Sequence, residues 1–460
     1  MNQISLILTL GSLLFLWTVP FFPTNVFGQN EKSPYDLSMC IKSALQNNAT
    51  LLQSQYMVNY YEHGIDIEKS KFGPHLSAHG AVDQFKTNQE FAGLVPSQAG
   101  NIAVKDKSGT GYIGGLSLTQ PIYSTGSLLG FSAPSIQREK NKLSSQKFTD
   151  LKQRDDVILS IVEAYGNVLK SLYALKVKEK SLTTSELIYT VSLSKYKLDL
   201  ITKSKLLEAE NTYINHKTQI AELKSTVEEN LADLSNKVGN GIRISKISDD
   251  LSMVKKAGCQ DDPLPLLEDL YGMAYQKRND IKAQEAKIGS LLSELQVIKS
   301  QRYPELNLMG NYFYRGDFAH SENNLYTWNV FLKLDIPLYD FGGVRAAIAR
   351  QESLIRAERE VLKALKNNVV LQIDQSYQKA ESLKAKLIGL QKSIEKDRET
   401  LDLYKEKYGK DLVTLQDVLQ QQDLLDQDLQ TYLETEIDLA MTQLSLKKAM
   451  GSDILMCYTN

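Results

Sequence analysis

Lys195-Tyr196-Lys197-Leu198-Asp199-Leu200-Ile201-Thr202 recurs later in the chain as Lys407-Tyr408-Gly409-Lys410-Asp411-Leu412-Val413-Thr414, and the echo runs on through Leu206-Leu207 and Val418-Leu419. Working outward, Pro74-His75-Leu76 with Gly80 returns as Pro304-Glu305-Leu306 with Gly310, and Pro121-Ile122-Tyr123 with Gly126 as Pro337-Leu338-Tyr339 with Gly342. The landmarks keep their order, so the chain reads as two copies of one unit, residues 29–240 and 263–451. Residues 241–262 are the linker, in a stretch punctuated by Gly239, Gly241, Gly258, Pro263 and Pro265, and 452–460 form a tail.

Each unit carries a strand pair. Trp328, Val330, Leu332, Leu334, Ile336 and Leu338 alternate with Asn329, Lys333 and Asp335, with Phe331 the exception, which marks a strand over about 326–338. Leu306, Leu308, Tyr312 and Tyr314 alternate with Asn307, Asn311 and Arg315 over about 305–315. The first unit repeats this over about 75–86 and 111–122. Runs of about ten residues suit a tilted strand crossing a bilayer, and Tyr112, Tyr312, Tyr314, Tyr326 and Trp328 lie where an interfacial aromatic girdle sits. A soluble antiparallel sheet with one wet face gives the same alternation.

A helix precedes each strand pair and a pair of very long helices follows it, over about 135–236 and 344–450. Gln137–Tyr196 and Val344–Tyr408 contain no proline, which allows roughly 90–95 Å of continuous helix each. Leu387, Leu390, Ile394, Leu401, Tyr404 and Tyr408 form a coiled-coil seam with Asp397 as its polar member. Tyr213, Ile220, Val227 and Leu234 form another on the returning helix of the first unit.

Residues 1–28 read as a secretory signal peptide: Ile4–Val19 is apolar, and Val26-Phe27-Gly28 suits cleavage before Gln29. A retained anchor is the alternative. The formal net charge of −2 over 460 residues offers no electrostatic footprint for nucleic acid. Three scattered cysteines, Cys40, Cys259 and Cys457, do not make a disulfide framework. Neither a phosphate-binding Gly-rich loop nor a nucleophile motif is present, and the five histidines show no strong ligand spacing, so the sequence points to no enzyme, metal or cofactor.

Four strands cannot close a barrel, and sheet edges exposed to lipid leave backbone groups unsatisfied at several kcal/mol each. Strands in a membrane therefore require oligomerisation. Two chains supply eight strands, whose interior side chains fill; three supply twelve, wide enough for water. The small and polar set Gly115, Ser117, Thr119, Asn307, Asn311 and Asn329 favours the wet interior.

The order, spacing and duplication of these landmarks across residues 33–451 resemble the TolC-like outer membrane efflux protein family. The resemblance implies a mainly α fold with a membrane β-barrel: a homotrimer whose twelve-stranded barrel continues into an α-helical tunnel through the periplasm. It implies a passive duct for tripartite efflux or type I secretion. The implied partners are the outer membrane bilayer, a periplasmic adaptor (membrane fusion) protein and an inner-membrane RND, ABC or MFS pump. A periplasmic coiled-coil adaptor or scaffold without a pore is the competing reading, and the cargo, small toxic molecules or polypeptide, stays open.

In such a trimer the repeated element forms the periplasmic tip. Asp199 and Asp411 take turn positions where the family usually has Gly, and Thr202 and Thr414 suit capping of the returning helices. By resemblance, Asp417 matches a tip acid and Tyr408 a tyrosine that helps to hold the tip shut. Gln420 replaces a second acid, Val413 a locking Arg, and Lys205 the Asp of the other copy. The expected gate is a threefold ring of Asp417, with Lys205 as ion-pair partner; a solvated carboxylate is the alternative.

Overall fold

The computed structural model describes residues 34–86, 108–239, 241–248, 267–317, 325–410 and 412–452. The expected signal peptide, most of the linker, nearly all of the tail and Asp411 lie outside them. The elements are α1 (Leu37–Asn47), α2 (Ala49–Ser70), β1 (His75–Lys86), β2 (Ser108–Ser124), β3 (Ser127–Leu128), α3 (Pro134–Lys197) and α4 (Lys203–Val238). The second part holds α5 (Leu267–Lys277), α6 (Asn279–Ser300), β4 (Glu305–Asp317), β5 (Leu325–Asp335), α7 (Gly343–Gly409) and α8 (Leu415–Ala449). No helix among the described residues is long and apolar enough to cross a membrane.

The long helices follow from what their sequences lack. With no internal proline, α3 runs for 64 residues and α7 for 67, about 95–100 Å each. Pro134 opens α3, where its missing N–H costs nothing. At the head of α7, Gly342 takes the left-handed conformation (φ 83°), and Asp340 accepts the N–H groups of Gly342 and Val344 at 3.0 and 2.7 Å. The Pro-Leu-Tyr-x-x-Gly landmark is thus the turn from sheet into helix. The seam of α7 buries Ile394 and Leu401 against Val418 and Leu425 of α8, flanked by Tyr404, Tyr408, Leu429 and Tyr432. Asp397, its polar member, accepts from Gln421 at 3.4 Å.

Half-way along, the short helices pack on the long ones. Leu37, Cys40, Ile41 and Ala44 of α1 meet Ile158–Leu169 of α3 and Leu231–Val238 of α4. Leu270, Ala274 and Ile281 meet Val369 and Ile373 of α7 and Leu446 of α8. Where the sequence suggests one helix before each strand pair, the structure has two, broken at Asn48 and at Arg278. Both breaks are built alike. Asn48 Nδ2 donates to the Lys237 carbonyl at 2.8 Å, and Arg278 Nη1 to the Ala449 carbonyl at 3.2 Å. Gly239 (φ 90°) and Gly451 (φ 74°) press against these breaks; a Cβ would stand 2.9 Å from Asn47 O and 2.7 Å from Arg278 N. The described part of the linker is no free tether: Ile244 and Ile247 are buried, and Ile247 bridges to Tyr35.

A charged knot joins the helices just below the sheet. Arg138 of α3 reaches Glu139 at 2.8 Å, Glu68 of α2 at 3.1 Å and Glu294 of α6 at 2.7 Å. Lys71 and Lys142 complete the neutralisation at 2.6 and 2.9 Å.

The sheet has the order β1-β2-β4-β5, antiparallel throughout, with β3 a two-residue addition to β2 that the sequence did not announce. The last strand ends at Asp335 rather than Leu338, because Pro337 has no N–H to continue the ladder. Near the end of β2 the register against β4 shifts between Pro121 and Tyr123, an irregularity within the strand.

Candidate functional site

The register sorts the sheet into two faces. Leu76, Ala78 and Val82 align through Leu118, Leu116 and Tyr112 with Gly310, Tyr312 and Gly316, and across β5 with Val330 and Trp328. Tyr326, Trp328, Val330, Leu332 and Leu334 are all exposed on this face. The other face carries Ser77, His79, Ser117, Thr119, Asn307, Asn311, Asn329, Lys333 and Asp335. Its polar groups bond laterally: Asn311 Nδ2 donates to Asn329 Oδ1 at 3.0 Å, His79 Nδ1 lies 3.4 Å from Ser117 Oγ, and Lys333 pairs with Asp335 at 3.0 Å. Phe331, odd in the sequence pattern, stands opposite Met309 on this polar face.

The five aromatics singled out from the sequence share the apolar face near the ends of the strands away from the helices. Tyr314 pairs in register with Tyr326, Tyr312 with Trp328, and the rings of Tyr112 and Tyr314 are 6.0 Å apart. A second aromatic group escaped the alternation argument because it follows the strands: Phe131, Tyr339 and Phe341 are exposed at the helix end of the sheet, with Tyr339 and Phe341 rings 5.1 Å apart. The first group lies on the strands at the end away from the helices, and Tyr339 and Phe341 follow the end of β5 at Asp335, so exposed aromatics stand at both ends of the sheet.

At the opposite end the tip turns differ. Asp199 takes the left-handed conformation (φ 56°) between α3 and α4. Thr202 is the N-cap of α4 but makes no side-chain bond, whereas Thr414 closes a full capping box with Asp417. Asp417 accepts the N–H and the hydroxyl of Thr414 at 2.8 and 2.6 Å and returns its own N–H to Thr414 Oγ1 at 3.3 Å. These bonds hold its carboxyl below the usual range. The equivalent position on α4 is Lys205, which cannot accept a bond, so that box cannot close. Within the protomer, Asp417 is thus engaged by its own helix rather than by Lys205; Lys205 and Gln420 are exposed. Tyr408 packs on the α7–α8 seam, and Lys195 Nζ sits 5.6 Å from its ring centroid, linking the two tips. Sequence reading missed Lys195, since the contact spans both units.

Residues 270–452 match the family described as outer membrane efflux protein. The chain carries an outer membrane efflux protein domain. The fold of solved channels extends well beyond that domain. The Campylobacter jejuni CmeC outer membrane channel superposes with a TM-score of 0.75 at 16% identity, covering 91% of this chain and 88% of that one. The outer membrane protein VceC of Vibrio cholerae gives 0.74 at 14%, covering 91% and 96%. The Neisseria gonorrhoeae MtrE outer membrane channel, in its open state, gives 0.74 at 16%, covering 90% and 89%. Comparison with curated protein sequences gives no match. The efflux protein domain holds β4, β5, the seam of α7 and α8 and the capped tip, while residues before it carry the other strand pair and the uncapped tip.

Proposed function

We propose that this chain is one third of an outer-membrane channel-tunnel, a passive exit duct of a tripartite efflux or type I secretion system. The observation that carries this is the two-faced sheet with unpaired edges. Among the described residues β1 and β5 each pair on one side only, while one face is mainly apolar and the other carries most of the polar side chains, with Phe331 and Met309 among them. Three copies joined β5 to β1 give twelve strands with no edge, lipid outside and water inside. Helices of about 95–100 Å then continue the wall as a tunnel from the two structural repeats. A coiled-coil scaffold has no use for such a sheet.

The chain carries no chemistry of its own in this role; an inner-membrane pump supplies energy and an adaptor meets the tips. Fractionation tests the reading. Recovery from the outer membrane as a heat-modifiable trimer is expected, and a soluble periplasmic monomer rejects it.

At the closed end, three copies of Asp417 form the constriction ring, braced by Tyr408 with Lys195, and Asp199, Thr202 and Thr414 shape the turns. The capping role and the ring role of Asp417 are separable in planar-bilayer conductance. Asp417→Ala should abolish block by multivalent cations, while Thr414→Ala, which removes the cap and keeps the carboxylate, should preserve it. Equal loss in both assigns Asp417 to the cap alone.

A further inference from the structure

Where the sheet hands over to the helices, large apolar side chains are displayed on the connecting segments rather than on strands. Leu129, Phe131, Leu338, Tyr339 and Phe341 are 47, 75, 90, 77 and 90% exposed. Two of them also carry unfavourable backbones. Leu129 (φ 47°) and Phe341 (φ 53°) take the left-handed region, where a bulky residue is strained and glycine or asparagine fits better. The loop that carries Leu129 and Phe131 is locked in place. The Ser127 hydroxyl donates to the Phe131 carbonyl at 2.6 Å, and Gly130 presses on Phe72 so closely that a Cβ would stand 2.7 Å from its Cγ. Rigid turns that hold large apolar groups outward, at a cost in backbone strain, point to a use for those groups beyond the protomer.

Just beneath this band lie the ends of four helices, and their charges do not balance. The carboxylates at this level are answered: Asp66 by Lys69, Glu68 by Lys71 and Arg138, Glu139 by Lys142 and Arg138, and Glu294 by Arg138. Asp340 accepts the N–H groups of Gly342 and Val344 and has Arg302 nearby. Glu305 stands opposite Asp335 in register, on the polar face of the sheet. The cations are in excess. Lys140 of α3, Lys299 of α6, Arg302 just after it and Arg345 in the first turn of α7 make no ion pair among the described residues. Lys140, Arg302 and Arg345 are exposed, and Lys299 is half-buried.

Aromatic and aliphatic groups bordered by cations are what a surface needs to sit at a membrane interface. The rings enter the boundary between acyl chains and headgroups, and the cations meet headgroup phosphates. Arginine suits the second task best, because its planar fork can take two phosphate oxygens at once. We propose that Lys140, Lys299, Arg302 and Arg345, beneath the band of Leu129, Phe131, Tyr339 and Phe341, form a collar that recognises anionic phospholipid in the periplasmic leaflet of the outer membrane. The occupant is a lipid because the cations adjoin exposed apolar groups, which a free phosphate ion cannot cover. In the duct reading, on which this rests, the collar fixes the depth at which the barrel sits and keeps the helix ends out of the acyl layer.

The test adds lipid to the full-length protein in detergent and reads its melting temperature. Phosphatidylglycerol should raise the wild-type value by several degrees more than phosphatidylcholine does, and inorganic phosphate should not reproduce the excess. Arg302→Gln with Arg345→Gln should remove the excess, and Arg302→Lys with Arg345→Lys should keep most of it. Lys140→Gln with Lys299→Gln reads the same loss on other helices, should the first pair fail to fold. Equal shifts with the two lipids, an excess that survives both glutamine pairs, or an equal effect of inorganic phosphate overturns the collar. So does loss of the trimer in a folded glutamine pair, which assigns this face to contacts between copies. A chain found only in the soluble periplasm fails the duct reading; an intact outer-membrane trimer with no lipid preference fails the collar alone.

Discussion

Val330→Arg should eliminate the trimer from the outer membrane, whereas Asn329→Arg, one position away, should leave assembly intact and shift selectivity toward anions. Val330 lies mid-strand on the apolar face, exposed and paired with Gly310. Asn329 projects to the polar face, where Asn311 donates to it. Burying arginine at the bilayer midplane costs about 2–4 kcal/mol per copy. Three copies consume most of the roughly 5–15 kcal/mol by which folded proteins are stable. The heat-modifiable band in outer-membrane fractions reads the first outcome, and the reversal potential in a salt gradient reads the second. If both variants assemble equally well, the faces have been assigned wrongly or the sheet does not meet lipid.

Arg138→Met should destabilise the joint between sheet and helices by about 3 kcal/mol, the cost of stranding carboxylates that are largely withdrawn from water. The guanidinium answers three of them, and Glu68 and Glu139 are buried. Burial alone would raise the Glu68 carboxyl, but hydrogen bonding and charge from Lys71, with Arg138 beside them, leave it below 4.5. Its contribution is therefore complete above pH 4.5 and disappears as pH falls through the depressed value. Thermal unfolding should show Arg138→Met as strongly destabilised at neutral pH and the gap to wild type narrowing in acid. Adding Glu68→Gln to Arg138→Met should recover part of the loss, because one stranded charge has gone. A double variant no better than the single one would mean that packing of the arginine stem, not charge, is what α3 contributes there.

What sequence made legible was whatever depends on neighbours along the chain. The period-two alternation of Trp328, Val330 and Leu332 marks a strand with two unlike faces before any partner is known. The seam Ile394, Leu401, Tyr408 marks a coil in the same way. Asp199 was readable as a left-handed turn because few other side chains tolerate one. The knot of Arg138 with Glu68 and Glu294 was illegible, since its members come together only when separate helices pack. Asp417 shows a third situation. Thr414-x-x-Asp417 is a capping-box pattern in plain view, yet resemblance drew attention to the pore and away from the local bond. Phe131, Tyr339 and Phe341 were passed over because they sit in turns, where alternation says nothing.

The two unpaired edges of the sheet also bear on heredity. If the wall closes only when each β5 finds the β1 of another copy, no chain completes a pore alone. A cell making sound and defective chains together would then build mostly mixed rings. A substitution that spoils the lumen or the tip while sparing β1 and β5 would enter those rings and disable its companions, giving a dominant phenotype. A substitution that ruins an edge would exclude its own chain from assembly, leave sound copies to pair among themselves, and be recessive.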